Sequence, residues 1–369
     1  MEIYLVGGAI RDQLLELPVH ERDWVVVGAT PGELIEQNFT QVGKDFPVFL
    51  HPETKEEYAL ARTERKSGKG YTGFVVNADP SVTLEEDLLR RDLTVNAIAQ
   101  AQDGTLVDPF HGQDDLKQKL LRHVSPAFTE DPLRVLRVAR FMARLGPLGF
   151  TVTQGTIALM QKMAEQGDLG DLVPERVWKE WQRSLSEKTP HLFIQTLEQS
   201  HALIKLFPEI TDAAHTSTLL IEASNRTKET LIRFAVMLSS LNPDSIKTLC
   251  DRYKIPKRYA ELALHVSSAF SQYQTLFSAS PEDVLQLFKQ LDAFRNPERF
   301  SDFLFCCDII TETKETAIDQ SAREFLSMLL MTLQKIDTQT FIKQGIKGQA
   351  VGAAIHKERL GIVAKALNK

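Results

Sequence analysis

The sequence predicts an α+β chain, with a mixed β-sheet head carrying helices at the N-terminus and an all-α neck, body and tail behind it. Three observations predict it. Short apolar runs rich in strand formers, such as residues 3–6 and 22–27, are punctuated by glycine and proline turns in the first third of the chain. Beyond Phe150 apolar residues recur at helical spacing, with breaks near Pro208, Pro243, Pro256 and Pro281. The 369 residues are enough for two or three domains, and the pattern divides them into a head (1–123), a neck (124–205) and a body with tail (206–369).

The stretch 3–28 organises the head. Ile3, Tyr4, Leu5 and Val6 form a strand closed by Gly7-Gly8, and Ala9, Ile10, Leu14 and Leu15 then recur at helical spacing around Arg11. A turn with Pro18 leads to a second strand, 22–27. Glu21 and Asp23 stand two apart at its start, so period-2 geometry places both carboxylates on one face. Paired carboxylates hold hard divalent cations through oxygen. Gly7 and Gly8, leading into a helix start, allow close approach of phosphate, because nothing larger than hydrogen intervenes. Arg11 adds a fixed positive charge one turn in.

Further along, 31–37 reads as a short helix, and 46–50 and 58–61 as strands of the same sheet. Arg62 to Lys66 and the glycine-rich 67–73 read as a hairpin or lid. Its spacing is not that of a P-loop, and Glu64 is a weak candidate for a third acid. Thr83 and Glu86 make a capping box, so a helix begins near Leu84 and runs into Arg90-Arg91-Asp92-Leu93-Thr94-Val95-Asn96. Residues 98–107 read as a hairpin and 114–121 as the helix leaving the head.

Glu130-Asp131-Pro132-Leu133-Arg134 opens the neck, with proline suited to a helix start. Arg134, Arg137 and Arg140 follow every three positions. Each step drifts by about 60° around the helix, so the arginines fan out, while Leu133, Leu136 and Phe141 can face a core. Asp131 and Arg134, one helical turn apart, supply an acceptor and a donor of the kind that can read a base edge. Cytosine and adenine present an amino donor beside a ring-nitrogen acceptor, and uracil and guanine present the reverse. An aspartate that accepts and an arginine that donates therefore read C and A alike and reject U and G. Residues 172–181 form an amphipathic helix whose Trp178 and Trp181 read as core. The tail, with Lys357, Arg359, Lys365 and Lys369, reads equally as a basic helix that grips an RNA backbone or as a solvated helix end.

Composition bounds the function. A hydrophobic share of 43% and a charged share of 25% suit an ordinary globular enzyme. No apolar run approaches the roughly 18 residues of a membrane span, and the N-terminus does not read as a signal peptide. Cys250, Cys306 and Cys307 have no metal-ligand spacing and form no even disulfide framework, so a reducing cytoplasm is expected. A net charge of −6 argues against indiscriminate nucleic-acid binding, so RNA contacts must use local basic patches.

The strings GGAIRDQLL, E-R-D-W-V-V-V-G, R-R-D-x-x-x-N-A and E-D-P-L-R together resemble the nucleotidyltransferase superfamily that includes DNA polymerase β. In particular they resemble class II CCA-adding enzymes and bacterial poly(A) polymerases, and R-x-x-R-x-x-R is close to the bacterial branch. The family usually shows D-x-D where this chain has Glu21 and Asp23. The resemblance implies catalysis and metal binding by Glu21 and Asp23, with Mg2+ as cofactor. It implies nucleotide contacts from Gly8, Arg11, Arg91 (phosphate), Asp92 and Asn96 (ribose side), and Asp131, Arg134, Arg137 and Arg140. It also implies that the 172–181 helix braces the Asp131 helix, and that tRNA, CTP and ATP are the partners, with no membrane and no protein partner. The expected reaction is addition of C, C and A to a tRNA 3′ end. A poly(A) polymerase and an A-only or CC-only enzyme are neighbouring readings, the first weakened by the lack of a long basic C-terminal extension. A non-catalytic RNA-binding protein of the same fold is the reading from another class. Longer bacterial relatives carry a His-Asp phosphohydrolase domain. No histidine here is followed by aspartate, and 231–241 occupies the corresponding region.

Overall fold

In the computed structural model the described residues are 1–42, 48–66, 74–313 and 321–368, with backbone only for 64–66, 74–76 and 321. The chain divides into two compact units, Met1–Pro208 and Glu209–Lys369.

The first unit starts with strand β1 (Glu2–Val6), helix α1 (Gly8–Leu14) and strand β2 (Asp23–Val27). α2 (Pro31–Glu36), β3 (Thr40–Val42), β4 (Val48–Leu50) and β5 (Glu57–Leu60) follow. β6 (Thr63–Lys66) and β7 (Phe74–Asn77) pair antiparallel as the expected hairpin, whose tip and Glu64 side chain lie outside the described residues. α3 (Leu84–Leu89), β8 (Ala99–Ala101) and β9 (Leu106–Val107) complete the sheet, whose described strands run in the order β3-β4-β5-β2-β1-β8-β9. Only β2 and β5 pair in parallel in it.

Successive strand residues point to opposite faces, and the run of valines in β2 reflects a sheet covered on both. Val25 packs with Val6, Leu84 and Leu88 beneath α3. Val26 packs with Leu34, Phe49 and Tyr58 on the α2 side. The capping box at Thr83 and Glu86 forms as expected, and a second one caps α2.

Two expectations shift here. The helix that begins at Leu84 stops at Leu89. Leu93 is extended, with φ −127° and ψ 145°, and bridges His123, and the Thr94 N–H donates to the Arg122 carbonyl at 2.9 Å. Only a 3-10 turn, Thr94–Asn96, remains of the expected continuation. The exit helix is α4 (Gly112–Gln118), which ends earlier than expected because Lys119 turns left-handed at φ 58° into strand β10 (Leu120–Leu121).

The neck begins with α5 (Leu133–Leu145), followed by β11 (Thr151–Val152), which pairs with β10, and by α6 (Gln154–Gln166), α7 (Pro174–Ser186), α8 (His191–Gln199) and α9 (Leu203–Leu206). α5 packs against α7 and α8. Leu133, Leu136 and Phe141 are buried, as are Trp178 and Trp181.

The second unit is helical throughout its described residues, from α10 (Ala213–Arg226) and α11 (Thr230–Met237) through α12 (Pro243–Arg252), α13 (Lys257–Gln274), α14 (Pro281–Gln290) and α15 (Pro297–Glu312) to α16 (Ser321–Gln334), α17 (Thr338–Lys343) and α18 (Gln349–Leu367). Three of the four expected breaks are helix starts, Pro256 standing just before α13, while Pro208 lies in the connection between α9 and α10. Pro243 and Pro281 are first-turn prolines behind the caps Asn242 and Ser280, where a missing N–H costs nothing. Among the described residues no helix is long and apolar enough to cross a membrane.

Gly112 shows how tightly α4 meets the Thr94 turn. A Cβ there would lie 2.3 Å from the Thr94 carbonyl oxygen and 2.7 Å from Ile98 Cγ1. Gly112→Ala should therefore cost about 1–3 kcal/mol, read as a lower urea midpoint at unchanged m-value. A wild-type midpoint would show that this contact relaxes freely.

Candidate functional site

β1 and β2 pair in a register that sets Val6 opposite Asp23, so the Gly7-Gly8 turn leaves the sheet beside Asp23. Gly7 has φ +72°, which favours glycine, and a Cβ there would lie 2.9 Å from Arg91 Nη1. Glu21 precedes β2 rather than belonging to it, because the strand begins at Asp23. Both acids nevertheless line one cavity of about 1060 Å³. Gly8, Arg11, Arg91, Asp92, Asn96, Asp131, Arg134, Arg137 and Arg140 line the same cavity, so the structure brings all the sequence-selected residues together.

Buried charge must be paired, and the pairing here forms one connected network. Arg11, 3% exposed, donates through Nε and Nη2 to Asp12 at 2.9 and 2.8 Å and through Nη1 to Asn96 at 2.6 Å. The Asn96 amide donates to Asp92 Oδ1 at 3.0 Å, and Arg137 Nε donates to Asp92 Oδ2 at 2.7 Å. Burial alone would raise the Asp92 carboxyl, but Arg137 and Asn96 outweigh it and hold the group far below the usual carboxylate range. One turn on, Arg140 Nε donates to Glu180 at 2.6 Å. Arg11, Arg137 and Arg140 all lie over the Phe141 ring, at 5.0, 5.6 and 4.5 Å. The fan expected of the three neck arginines is real, since each turns to a different partner. Arg137 and Arg140 spend only Nε on carboxylates, and their terminal nitrogens make no hydrogen bond among the described residues.

Asp131 lies just outside α5, with extended backbone at φ −115°. Its carboxylate accepts from the Leu133 N–H at 3.1 Å and from Arg176 at 2.9 and 3.4 Å. Arg134 donates to the carbonyls of Ala127, at 2.7 Å, and Arg90. In the same cavity, desolvation pushes the Asp23 carboxyl above its ordinary value. Arg91 opposes that shift and Glu21 adds to it. Two carboxylates of this kind suit a hard divalent cation whose remaining ligands come from phosphate oxygens and water. No cluster of three or more His, Cys, Asp or Glu side chains able to hold a metal occurs among the described residues.

Comparison with known proteins agrees with this architecture. A model described as the poly A polymerase head domain matches residues 3–122, and one described as the probable RNA and SrmB-binding site of polymerase A matches 149–214. The multifunctional CCA protein of Legionella pneumophila (strain Paris) is 45% identical, with the match covering 99% of this chain and 98% of that protein. The CCA-adding enzyme of Pseudomonas putida (strain W619) is 48% identical over 98% of this chain and 97% of its own length. The chain belongs to the CCA-adding enzyme family. A solved complex of a CCA-adding enzyme with ATP, 22% identical, shares the fold with a TM-score of 0.74, covering 99% of this chain and 88% of that one.

Several residues that build this family member's cavity escaped sequence reasoning. Asp12 bridges Arg11 and Arg144, the latter at 2.7 Å. Fully buried Asp87 accepts from Arg90 at 2.5 Å and from Arg91 at 3.1 Å, and also from the Arg62 N–H at 3.3 Å. Its spacing, three and four residues before the arginines that follow the end of α3, was a usable signal. Arg176 and Glu180, one turn apart on α7, carried none without knowledge of what α7 faces.

Asp87→Ala would strand two largely buried guanidiniums and should cost about 3–5 kcal/mol. The pairing depresses the Asp87 pKa. Its contribution is thus full above the ordinary aspartate value and disappears as pH falls through the lower folded value. Urea unfolding at neutral pH reads the loss, and a midpoint equal to wild type would exclude Asp87 as the support of Arg90 and Arg91.

Proposed function

We propose that this chain adds C, C and A to the 3′ end of tRNA without a nucleic-acid template, taking CTP and ATP as donors. The observation that carries the reading is the cavity itself. It brings two carboxylates beside a glycine turn into one cavity with an aspartate–arginine pair, each of the pair held by protein partners. The full-length likeness to proteins named for CCA addition supports it.

Glu21 and Asp23 would hold divalent ions, with magnesium the natural choice for carboxylate and phosphate oxygens. When bound, such ions activate a 3′ hydroxyl and stabilise the charge on departing pyrophosphate. The chain's own groups do the rest. Gly7 and Gly8 let the triphosphate approach the backbone. The terminal nitrogens of Arg137 and Arg140 offer charge-assisted donors to phosphate oxygens, because their Nε atoms are already anchored. Arg91, next to the glycine turn, meets the phosphate side. Asn96 and Asp92, linked to each other, stand towards the ribose. Asp131 accepts from the amino group of C or A, and Arg134 donates to the neighbouring ring nitrogen. The head and the α5 neck would carry the chemistry, and the second unit would bind the tRNA.

Asp23→Ala should abolish nucleotide transfer while leaving the fold and tRNA binding nearly intact, and near-normal incorporation by the purified variant would sink the metal reading.

Base selection has its own test. A site built on such hydrogen bonds can discriminate by roughly 10⁴-fold. Asp131→Ala should lower C and A addition steeply and narrow their advantage over U and G. Arg11→Ala should slow all four nucleotides about equally. Single-nucleotide incorporation gives kcat/KM for CTP, ATP, UTP and GTP on a tRNA ending before CCA. Equal slowing of all four by Asp131→Ala would assign Asp131 to helix support and place base selection elsewhere.

A further inference from the structure

We infer that Arg176, on α7, is a specificity-determining positioning residue that aims the Asp131 carboxylate at the base edge. The inference rests on the reading of Asp131 as the group that accepts from the base. A carboxylate has about four lone-pair positions, and the protein engages three at Asp131. Oδ1 accepts from the Leu133 N–H at 3.1 Å and from Arg176 Nη1 at 3.4 Å, and Oδ2 accepts from Arg176 Nη2 at 2.9 Å. What remains for an incoming amino group is chiefly the second position on Oδ2, and the two-pronged grip of Arg176 sets its direction. A guanidinium fork fixes a carboxylate plane in a way that a single ammonium does not.

The two members of the base-reading pair are held in different ways. Arg134 is fixed by the carbonyls of Ala127 and Arg90, which no side-chain substitution at those positions removes. Asp131 sits on extended backbone ahead of the helix, and Arg176 is the only side chain among the described residues that hydrogen-bonds it. The grip spans 45 positions of sequence, so it couples the orientation of the acceptor to the seating of α7. That seating does not depend on Arg176. Val177 and Trp181 are fully buried, and Glu180 pairs with Arg140 at 2.6 Å. Arg176 itself keeps 28% of its side chain exposed, so truncating it leaves the α7 anchor in place.

Losing the grip leaves Asp131 charged and held only through Oδ1 by the Leu133 N–H, so the direction of Oδ2 is no longer fixed. C and A use the aimed acceptor and U and G do not, so the loss falls on C and A. The experiment compares the full-length chain with Arg176→Ala, Arg176→Lys and Asp131→Ala. It measures kcat/KM for all four nucleoside triphosphates on a tRNA ending before CCA. Calorimetric affinity for CTP and UTP, in magnesium without tRNA, and melting temperature complete the set. Arg176→Ala should cut the C-over-U and A-over-G ratios by about ten- to a hundredfold, the size of one lost charged hydrogen bond. UTP and GTP should stay near wild type, the CTP-over-UTP affinity ratio should fall in parallel, and melting should be near wild type. Arg176→Lys restores charge without the fork and should leave the ratios low. A uniform fall for all four nucleotides, or ratios restored by lysine, would overturn the inference. If Asp131→Ala collapses the ratios and Arg176→Ala does not, the positioning role alone fails. If wild type shows no preference for C and A, the base-reading assignment fails as well.

Discussion

The bond on which the site depends most is the ion pair between Asp92 and Arg137. Asp92 follows the last turn of the head's α3, and Arg137 lies in the middle of the neck helix, so the pair closes the head onto the neck. Its second oxygen binds Asn96, Asn96 binds Arg11, and Arg11 binds Asp12, which reaches back to Arg144 on α5. The path leaves the neck, crosses the head and returns to the neck one helical stretch further on. A wall built this way cannot open at one point without leaving a charge unpaired, and removing one partner of a buried pair costs more than the pair itself contributes.

Much of this was legible before any coordinates. The glycine turn, the two acids, the capping box at Thr83 and the arginine run of α5 are local patterns, and local patterns follow from backbone geometry within a few residues. Where sequence reasoning missed, a distant partner had overridden a local preference. The helix beginning at Leu84 reads as continuous through Asn96, but Leu93 and Thr94 take their hydrogen bonds from His123 and Arg122. β3 and β10 are so short that only their partners define them. The same divide runs through the site. The identities of the lining residues were readable, but their pairings were not. Arg140 with Glu180 and Asp131 with Arg176 join segments about 40 residues apart, and no period in the sequence encodes which face of α7 meets α5.

Charge shows why the distinction matters. The chain as a whole carries −6, which taken alone argues against a polyanionic substrate. Around the cavity, however, ten arginines face seven carboxylates among the described lining residues. A field is felt locally, within roughly a Debye length of 8 Å at physiological ionic strength, so the cavity presents positive charge whatever the sum over the surface.

That excess would be unstable if the arginines simply repelled one another in an empty site. The structure avoids this by neutralising them partially and directionally. Asp92 and Glu180 take the Nε of Arg137 and Arg140 and leave their terminal nitrogens to the cavity. Phe141 lies beneath those two guanidiniums and that of Arg11, offering a face that attracts cations without consuming a donor. Each of the two α5 arginines is thus held at its stem and available at its tip. An arriving triphosphate meets donors whose orientation was fixed when the chain folded, so little reorganisation remains at the moment of reaction, the condition under which electrostatic stabilisation is most effective.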